Sequence, residues 1–398
     1  MALPEPPRPR VPARQFGDLQ LDIYLDGLEG RIPKYPVDFA SLERKAAETL
    51  PWWVHSYVAG GCGDEYTQRL NVSAFQKYGI VPRMLNGAYE RDLSVELMGI
   101  DLQTPLLMSP VGVIGLCAQD FHGDLHVAEA AARTGVPMIA STLTMDPMEA
   151  VAARFGETPG FFQLYTPRDR DLAASLVHRA EQAGFRAIVV TLDTWTPGWR
   201  PRDLNAASFP QLRGYCLENY FTDETFLRRL AASPREDRDA AAREWMRIWG
   251  QSLRWDDLDW LRSLTELPIA LKGICHPDDA RRALDHGMDA IYCSNHGGRQ
   301  ANGGLAAIDL LPDVVAAAGD MPVIFDSGVR SGSDLAKALA MGATAVGVGR
   351  PYAYALAVGG TDGVVHQLGA ILAELDLLMA IDGYPSIEAL RRAGVRRA

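Results

Sequence analysis

The sequence predicts an α/β protein: a (β/α)₈ TIM barrel, with a helical segment before it and a long lid insertion after its fourth strand. Three observations carry this reading. Eight short apolar runs alternate with helical patterns between Pro105 and Val348, and near-continuous apolar strands are the mark of a parallel sheet covered by helices. Polar residues stand at the C-terminal ends of six of those runs, on the face where barrels hold their sites. No GxGxxG opens a first helix, which weighs against the alternative, an open doubly wound sheet.

Residues 1–15, rich in Pro and Arg, are expected to be a disordered arm, and 16–398 a single barrel domain. Met1 to Arg14 lacks an apolar core and does not read as a secretory signal. Residues 38–50 read as a helix, capped by Asp38 or Ser41 and stopped by Pro51. His55 to Glu65 holds three glycines and reads as a tight turn, with a short helix from Thr67 to Phe75. Two short strands, Asp92 to Leu97 and Gly99 to Leu102, precede the barrel. The barrel strands are then Pro105–Pro110, Val136–Ser141, Gly160–Tyr165, Ala187–Asp193, Pro268–Lys272, Asp289–Ser294, Pro322–Asp326 and Ala343–Val348. The intervening helices are read as Leu125–Arg133, Pro147–Phe155, Arg168–Ala183, Pro277–His286, Asp309–Ala318 and Ser333–Met341, and a helical tail follows.

Residues 194–255 break the rhythm. A βα loop usually takes roughly 2–6 residues, so this segment reads as a lid over the rim. Helical matter is expected at Thr222–Ala232 and Asp237–Trp249. The aromatics Trp195, Trp199, Tyr215 and Tyr220 favour its docking over a disordered insertion.

Composition narrows the function. Lys and Arg number 39 against 50 Asp and Glu, a formal net charge of −11. An acidic chain is a poor partner for nucleic acid or anionic membrane. No run of about 18 apolar residues was read, so no membrane span is expected. Five scattered cysteines show no metal-ligand spacing, and no metal is expected. They point to reduced, mostly inert thiols in a cytoplasm.

The chemistry concentrates in Ser294-Asn295-His296-Gly297-Gly298-Arg299-Gln300, directly after an apolar run. An imidazole exchanges protons near neutral pH, and a guanidinium grips a carboxylate through paired hydrogen bonds. A base and an anion clamp three residues apart suit oxidation of a small hydroxy acid. Other strand ends supply Gln163, Tyr165, Thr191, Asp193, Lys272, Ser294 and Asp326. The last two strands lead into Gly328, Arg330, Gly349 and Arg350, where barrels often bind phosphate. Lys272 is either a Schiff-base nucleophile or a fixed charge. With a phosphate cofactor implied, a cation that stabilises an anionic reduced ring fits. Asp193 could orient His296 and stabilise its protonated form.

Together with Asp326-Ser327-Gly328-Val329-Arg330 and Gly349-Arg350-Pro351, the His296 motif resembles the FMN-dependent α-hydroxy-acid oxidising family over about residues 38–384. Ser56–Gly61, Thr191–Trp195, Gly198–Leu204 and Ile381–Tyr384 are most similar to its lactate 2-monooxygenase subgroup. The resemblance implies FMN as cofactor, with O₂ and a small L-2-hydroxy acid, lactate first, as reactants, and a homo-oligomer (tetramer or octamer). It implies His296 as the base taking the hydroxyl proton and Asp193 stabilising the imidazolium. Arg299, Arg200 and Tyr57 would hold the carboxylate, and Tyr165 would bond the substrate. Lys272 would face flavin N1 and O2. Gln163, Thr191, Ser141 and Ser294 would bind the ring and ribityl chain, and Asp326, Gly328, Arg330, Gly349 and Arg350 the ribityl and phosphate. Gly112 falls where oxidase members usually carry alanine, near flavin N5. The glycine points to monooxygenation, giving acetate and CO₂. The alternative is an oxidase releasing the 2-keto acid and hydrogen peroxide. Leu143 stands where some members have an aromatic, and Thr196-Pro197 departs from the subgroup pattern.

Overall fold

Eight parallel strands close into a barrel in the computed structural model, which describes residues 14–398. The strands are β1 (Leu106–Met108), β2 (Ile139–Ala140), β3 (Phe161–Leu164) and β4 (Ile188–Thr191), then β5 (Ile269–Lys272), β6 (Ala290–Cys293), β7 (Val323–Phe325) and β8 (Ala345–Val348). Neighbours pair in sequence order, and β8 pairs with β1. A parallel bridge from Met108 to Met138, with Met108 N donating to Pro137 O at 2.9 Å, joins β1 to β2 and completes the ring.

Strand side chains alternate between two faces, and burial follows that alternation. Phe162, Leu164, Ile188, Val190, Ile269, Leu271, Ile291 and Val323 belong to the core between strands and helices. Phe161, Val189, Ala270, Tyr292 and Ile324 fill the barrel interior. The inward phase of β3 continues to Gln163, that of β4 to Thr191, that of β5 to Lys272. Beyond β6 and β7 it reaches Ser294 and Asp326. All of these are buried. A hairpin, Val95–Leu97 paired antiparallel with Ile100–Leu102, sends Leu97 and Leu102 into the same inner cluster. It seals the end of the barrel away from the rim.

The helix expected over 38–50 forms as Phe39–Thr49, and the Asp38 carboxylate accepts from Ser41 N at 2.8 Å. The segment read as a tight turn at 55–65 does not begin as one: Trp52–Ala59 is a helix, and the turn starts only at Gly60. Its last carbonyls have remote partners. Arg299 donates to the carbonyls of Tyr57, Val58 and Gly60, and Arg350 to those of Val58, Ala59 and Gly60. Helix ends leave such groups unsatisfied locally. Here the caps come from more than 230 residues away in sequence, which is why the local sequence hides the helix.

Other departures lie at the chain ends. Asp18–Leu28 is a helix with no buried residues. Tyr78–Gly79 pairs with Arg396–Arg397. The arm expected over 1–15 falls, up to residue 13, outside the described residues, and Gln15 accepts from Arg91 N at 2.9 Å. The tail helix, Arg350–Asp382, is by length and composition apolar enough to cross a membrane. It is broken at Gly360 (φ 58°, ψ −146°), and Leu368, Leu372, Leu375 and Met379 pack in the core. Its buried Asp376 takes two hydrogen bonds from Arg91, at 2.8 and 2.6 Å.

The insertion lies over the rim. Its helices are Pro201–Asn205, Glu218–Phe221, Glu224–Leu227 and Arg238–Ile248. The helix expected over Thr222–Ala232 shrinks to one turn, begun by the Asp223 cap. Tyr220, Phe226 and Trp245 are fully buried, and Asn219 Nδ2 donates to Thr142 O at 3.0 Å. Tyr215 stacks on Trp53. Trp195 and Trp199 do not dock as expected: they stay 47% and 73% exposed.

Candidate active site

The strand-end residues form the floor. Gln163 Nε2 donates to Thr191 Oγ1 at 2.9 Å, and its Oε1 accepts from Ser141 Oγ at 3.1 Å. Lys272, the register partner of Thr191, donates through Nζ to Ser294 Oγ at 3.1 Å. Its ammonium lies 3.8 Å from Asp326 Oδ2 and over the Tyr292 ring. Ser294 Oγ also accepts from His296 N at 3.1 Å. One hydroxyl thus ties the buried cation to the residue that carries the base.

His296 departs from the strand in a left-handed conformation, φ 56°, followed by Gly297 and Gly298 at φ 63° and 75°. Such a run is strained for a non-glycine residue and easy for the glycines. It turns the imidazole back toward β4. There Nδ1 lies 2.9 Å from Asp193 Oδ1 and 3.2 Å from Thr194 Oγ1. Burial lowers the imidazole below its ordinary pKa; Asp193 opposes this, while Lys272 and Arg299 reinforce it. Burial alone would raise Asp193, yet His296 and Lys272 hold its carboxyl down at about 2. A neutral imidazole backed by a carboxylate can accept a proton at Nε2 and be stabilised as it does so.

Across from this pair lies a cationic clamp. The guanidinium carbons of Arg299 and Arg200 sit 5.1 and 4.8 Å from the centre of the Tyr57 ring. Burial, then Arg200 and Arg350, lower Arg299 to about 10, so it remains a cation at neutral pH. Arg200 Nε lies 3.6 Å from Asp203. Tyr165 follows β3, and burial holds its phenol protonated, a donor rather than a charge.

One cavity joins these groups to the phosphate end expected from the last two strands. Its lining includes Tyr57, Gly112, Leu143, Tyr165, Arg200, Lys272, His296 and Arg299, and continues through Asp326, Gly328, Arg330, Gly349 and Arg350. Of the expected site residues, Ser141, Gln163, Thr191, Asp193 and Ser294 are absent from that lining; Asp193 lies behind His296, and the other four form the hydrogen-bonded layer beneath the cavity. At the far end, Gly349 precedes the first turn of a 33-residue helix. A Cβ there would find nothing nearer than Val111 at 4.0 Å, so the backbone faces open space. Buried guanidinia, a helix N-terminus and a buried ammonium form a donor set that fits an organic phosphate with an anionic ring system. Arg350 nevertheless spends its hydrogen bonds on the carbonyls after Tyr57 and on Gln68. Arg330 stacks its guanidinium over Phe39 at 4.7 Å.

Several contributors were given no role by the sequence reading, although Gln300, Ser327 and Thr194 stand inside its motifs. Thr194 bonds both members of the base pair. Ser327 Oγ accepts from Gly297 N at 3.0 Å and donates to Asp326 at 2.9 Å, holding the His296 turn against β7. Gln300 Nε2 donates to Asp193 O at 2.9 Å. From the insertion, Trp249 packs 4.8 Å from the Tyr165 ring and Phe209 6.3 Å from Tyr57. Thr194, Ser327 and Gln300 each adjoin a recognised residue, and that adjacency was the available clue. Trp249 and Phe209 had none.

Comparison with known proteins shows the family and the fold. The FMN-dependent dehydrogenase family matches residues 46–397. The FMN-dependent alpha-hydroxy acid dehydrogenase qulF of Penicillium citrinum is 40% identical over 395 residues, 97% of either chain. An L-lactate oxidase of Lysinibacillus sphaericus is 40% identical over 372 residues, 93% of this chain and 95% of that one. Among solved structures, a mandelate oxidase with 3,3-difluoro-2-hydroxy-3-phenylpropionic acid superposes with a TM-score of 0.80 at 34% identity, covering 91% of this chain and 100% of its own.

Proposed function

The chain belongs to the FMN-dependent dehydrogenase family, and we propose that within it the enzyme is an L-lactate 2-monooxygenase. It would oxidise lactate with O₂ to acetate, CO₂ and water. FMN-dependent oxidation of a 2-hydroxy acid is the coarser activity, and FMN when bound supplies the hydride acceptor. Arg299 and Arg200 bind the substrate carboxylate above the Tyr57 ring, and the Tyr165 hydroxyl donates to the substrate oxygens. His296 removes the hydroxyl proton at Nε2, and Asp193 stabilises the imidazolium through Nδ1. Lys272 would hold a positive charge for the ring system, and Arg330, Arg350 and the backbone after Gly349 would take the phosphate. Gln163, Thr191, Ser141 and Ser294 orient one another and Lys272.

The observation that carries the reading is His296, backed by Asp193, facing two arginines across one cavity. Two features support monooxygenation: the buried rear of the insertion, which roofs the rim and favours product retention, and Gly112. The Gly112 backbone does not require glycine. An added Cβ would meet Leu143 Cδ1 at 3.3 Å and Leu143 Cβ at 3.4 Å, a contact relieved by a small shift. The second reading, an oxidase releasing pyruvate and hydrogen peroxide, is favoured by the names of the relatives. Incubation of the holoenzyme with L-lactate under air decides between them. Acetate with little peroxide is expected; pyruvate and peroxide in equal yield overturn monooxygenation. Gly112→Ala is expected to raise the peroxide fraction several-fold, and an unchanged product ratio removes Gly112 from the partition.

We also propose a homo-oligomer. The Asp18–Leu28 helix exposes Leu21, Tyr24, Leu25 and Leu28 beside exposed Ile32 and Ile381, a patch that suits burial against another copy. Light scattering on Leu25→Asp, compared with the parent chain, tests it. All five cysteines are free, which supports a cytoplasmic, reducing setting.

A further inference from the structure

We propose that Asn71 is a positioning residue for the base: its side-chain amide closes the loop that carries His296 and so holds the imidazole in its working place. The proposal rests on the reading of His296 as the base. The loop leaves β6 after Cys293 and rejoins regular structure at Ala307, the first residue of the helix Ala307–Ala318. Both ends of it meet one side chain. Asn71 lies on the helix Tyr66–Ser73, more than 220 residues earlier in sequence, and is 1% exposed. Asn71 Nδ2 donates to Asn295 Oδ1 at 2.8 Å, and Asn295 Nδ2 donates back to Asn71 Oδ1 at 2.9 Å. At the far end of the loop, Asn71 Oδ1 accepts from Ala307 N at 3.0 Å, and Asn295 Nδ2 donates to Leu305 O at 3.1 Å.

Backbone groups fix the orientation of both amides. Ala307 N can only donate, so the Asn71 atom that faces it is the oxygen; Leu305 O can only accept, so the Asn295 atom that faces it is the nitrogen. The remaining amide atoms then meet as donor and acceptor. A buried polar network paired in this way is rigid. One turn earlier on the same helix face, Thr67 N donates to Asn302 Oδ1 at 3.1 Å and Thr67 Oγ1 accepts from Gly304 N at 3.1 Å. The helix also presses on two glycines of the site motifs. A Cβ on Gly298 would meet Gln68 N at 2.5 Å, and one on Gly328 would meet Asn71 O at 2.3 Å. Glycine at these positions serves the close approach of this helix as well as the turns themselves.

The brace acts on the base more than on the clamp. Asn295 directly precedes His296, whose left-handed φ of 56° persists only while its surroundings enforce it. Arg299, three residues on, has a separate anchor in the carbonyls of Tyr57 and Val58. Loss of the amide pair therefore lets His296 relax while the guanidinium stays in place. Misplacement of a reacting group by about 1 Å can cost about 10²-fold in rate. Asn71 itself is absent from the cavity lining, so its effect is carried through Asn295.

The test follows flavin reduction by L-lactate, without O₂, in holoenzyme carrying Asn71→Leu, Asn295→Ala or both. Each single variant is expected to lower the limiting rate by about 10–100-fold, with substrate affinity and the bound-flavin spectrum close to those of the parent. The double variant is expected to be no slower than the slower single one, because both changes cut the same contact. Asn295→Ala, in the partly buried loop, reads that contact by itself if Asn71→Leu does not fold. A parent-like rate in either single variant overturns the brace. So does a loss of affinity equal to the loss of rate, which marks a general loosening of the site, and so does a double variant that multiplies the two losses. His296→Ala, measured alongside, separates this proposal from the reading beneath it. A parent-like rate there removes the base and the brace with it; a slow His296→Ala beside a fast Asn71→Leu removes the brace alone.

Discussion

The floor and the roof of the site are built by different physics. The floor residues Gln163, Thr191, Lys272, Ser294 and Asp326 are buried at successive strand ends, with Gln163 bonded to Thr191 and Lys272 to Ser294. The roof side gathers Tyr57, Arg200, Arg299, Phe209 and Trp249 from a short helix, a turn and the insertion, through ring contacts and arginine stacking. Strand register places the floor rigidly; tertiary packing alone places the roof. Chemistry that depends on sub-ångström geometry belongs on the rigid side, and substrate selection on the adaptable side. His296 and Asp193 are the hinge between them, anchored below by Ser294 and facing the clamp above.

If that division holds, the largest effect lies at the floor's edge. His296→Ala is expected to slow substrate-driven flavin reduction by about 10²–10⁴-fold, the range for a lost general base, while bound flavin stays spectrally normal. A stopped-flow rate near that of the parent enzyme would falsify the base assignment.

Asp193→Asn is next, and its pH profile is the sharper measurement. His296 must be neutral to act, and its pKa lies below the ordinary imidazole value. The acid limb of kcat/KM is therefore expected below pH about 6.5. Asp193 is the group that raises His296. Removing its charge is expected to move the limb to still lower pH and to reduce the plateau, since the imidazolium loses its counter-charge. A limb that moves upward contradicts the pairing.

Arg299→Met probes the roof. Loss of a charged hydrogen bond, about 1.5–3 kcal/mol, is expected to raise KM by roughly 10–150-fold. Arg299 also caps the Trp52–Ala59 helix, so a modest drop in melting temperature should accompany it. A fall in kcat with KM unchanged would place Arg299 with the chemistry.

The smallest effect is expected from Phe209→Leu, a near-conservative change beside Tyr57. KM should change only a few-fold and the rate of flavin reduction stay close to that of the parent. A large loss of that rate would erase the distinction between floor and roof.

The barrel was legible because its signal is local and repeated. Each strand is a short apolar run, and each inward phase ends in a polar residue, so counting strands also lists the floor: Gln163, Thr191, Lys272, Ser294, Asp326. The His296–Arg299 spacing was legible for the same reason. The Trp52–Ala59 helix was not, because Arg299 and Arg350 satisfy its terminal carbonyls from across the chain. Nor was the unequal docking of the insertion, where Tyr220 is buried and Trp199 exposed: composition is blind to which aromatic finds a partner surface.

By itself the sequence determined the parallel barrel, the polar rim and the candidates for base and clamp, since periodicity and motif spacing are properties of neighbours along the chain. Tertiary structure alone decided how those groups meet. It set the 2.9 Å contact of His296 with Asp193, the stacking of two arginines on Tyr57 and the seating of Trp249 on Tyr165. Each joins residues from different elements, and such contacts depend on closure of the ring, which no local run of residues encodes.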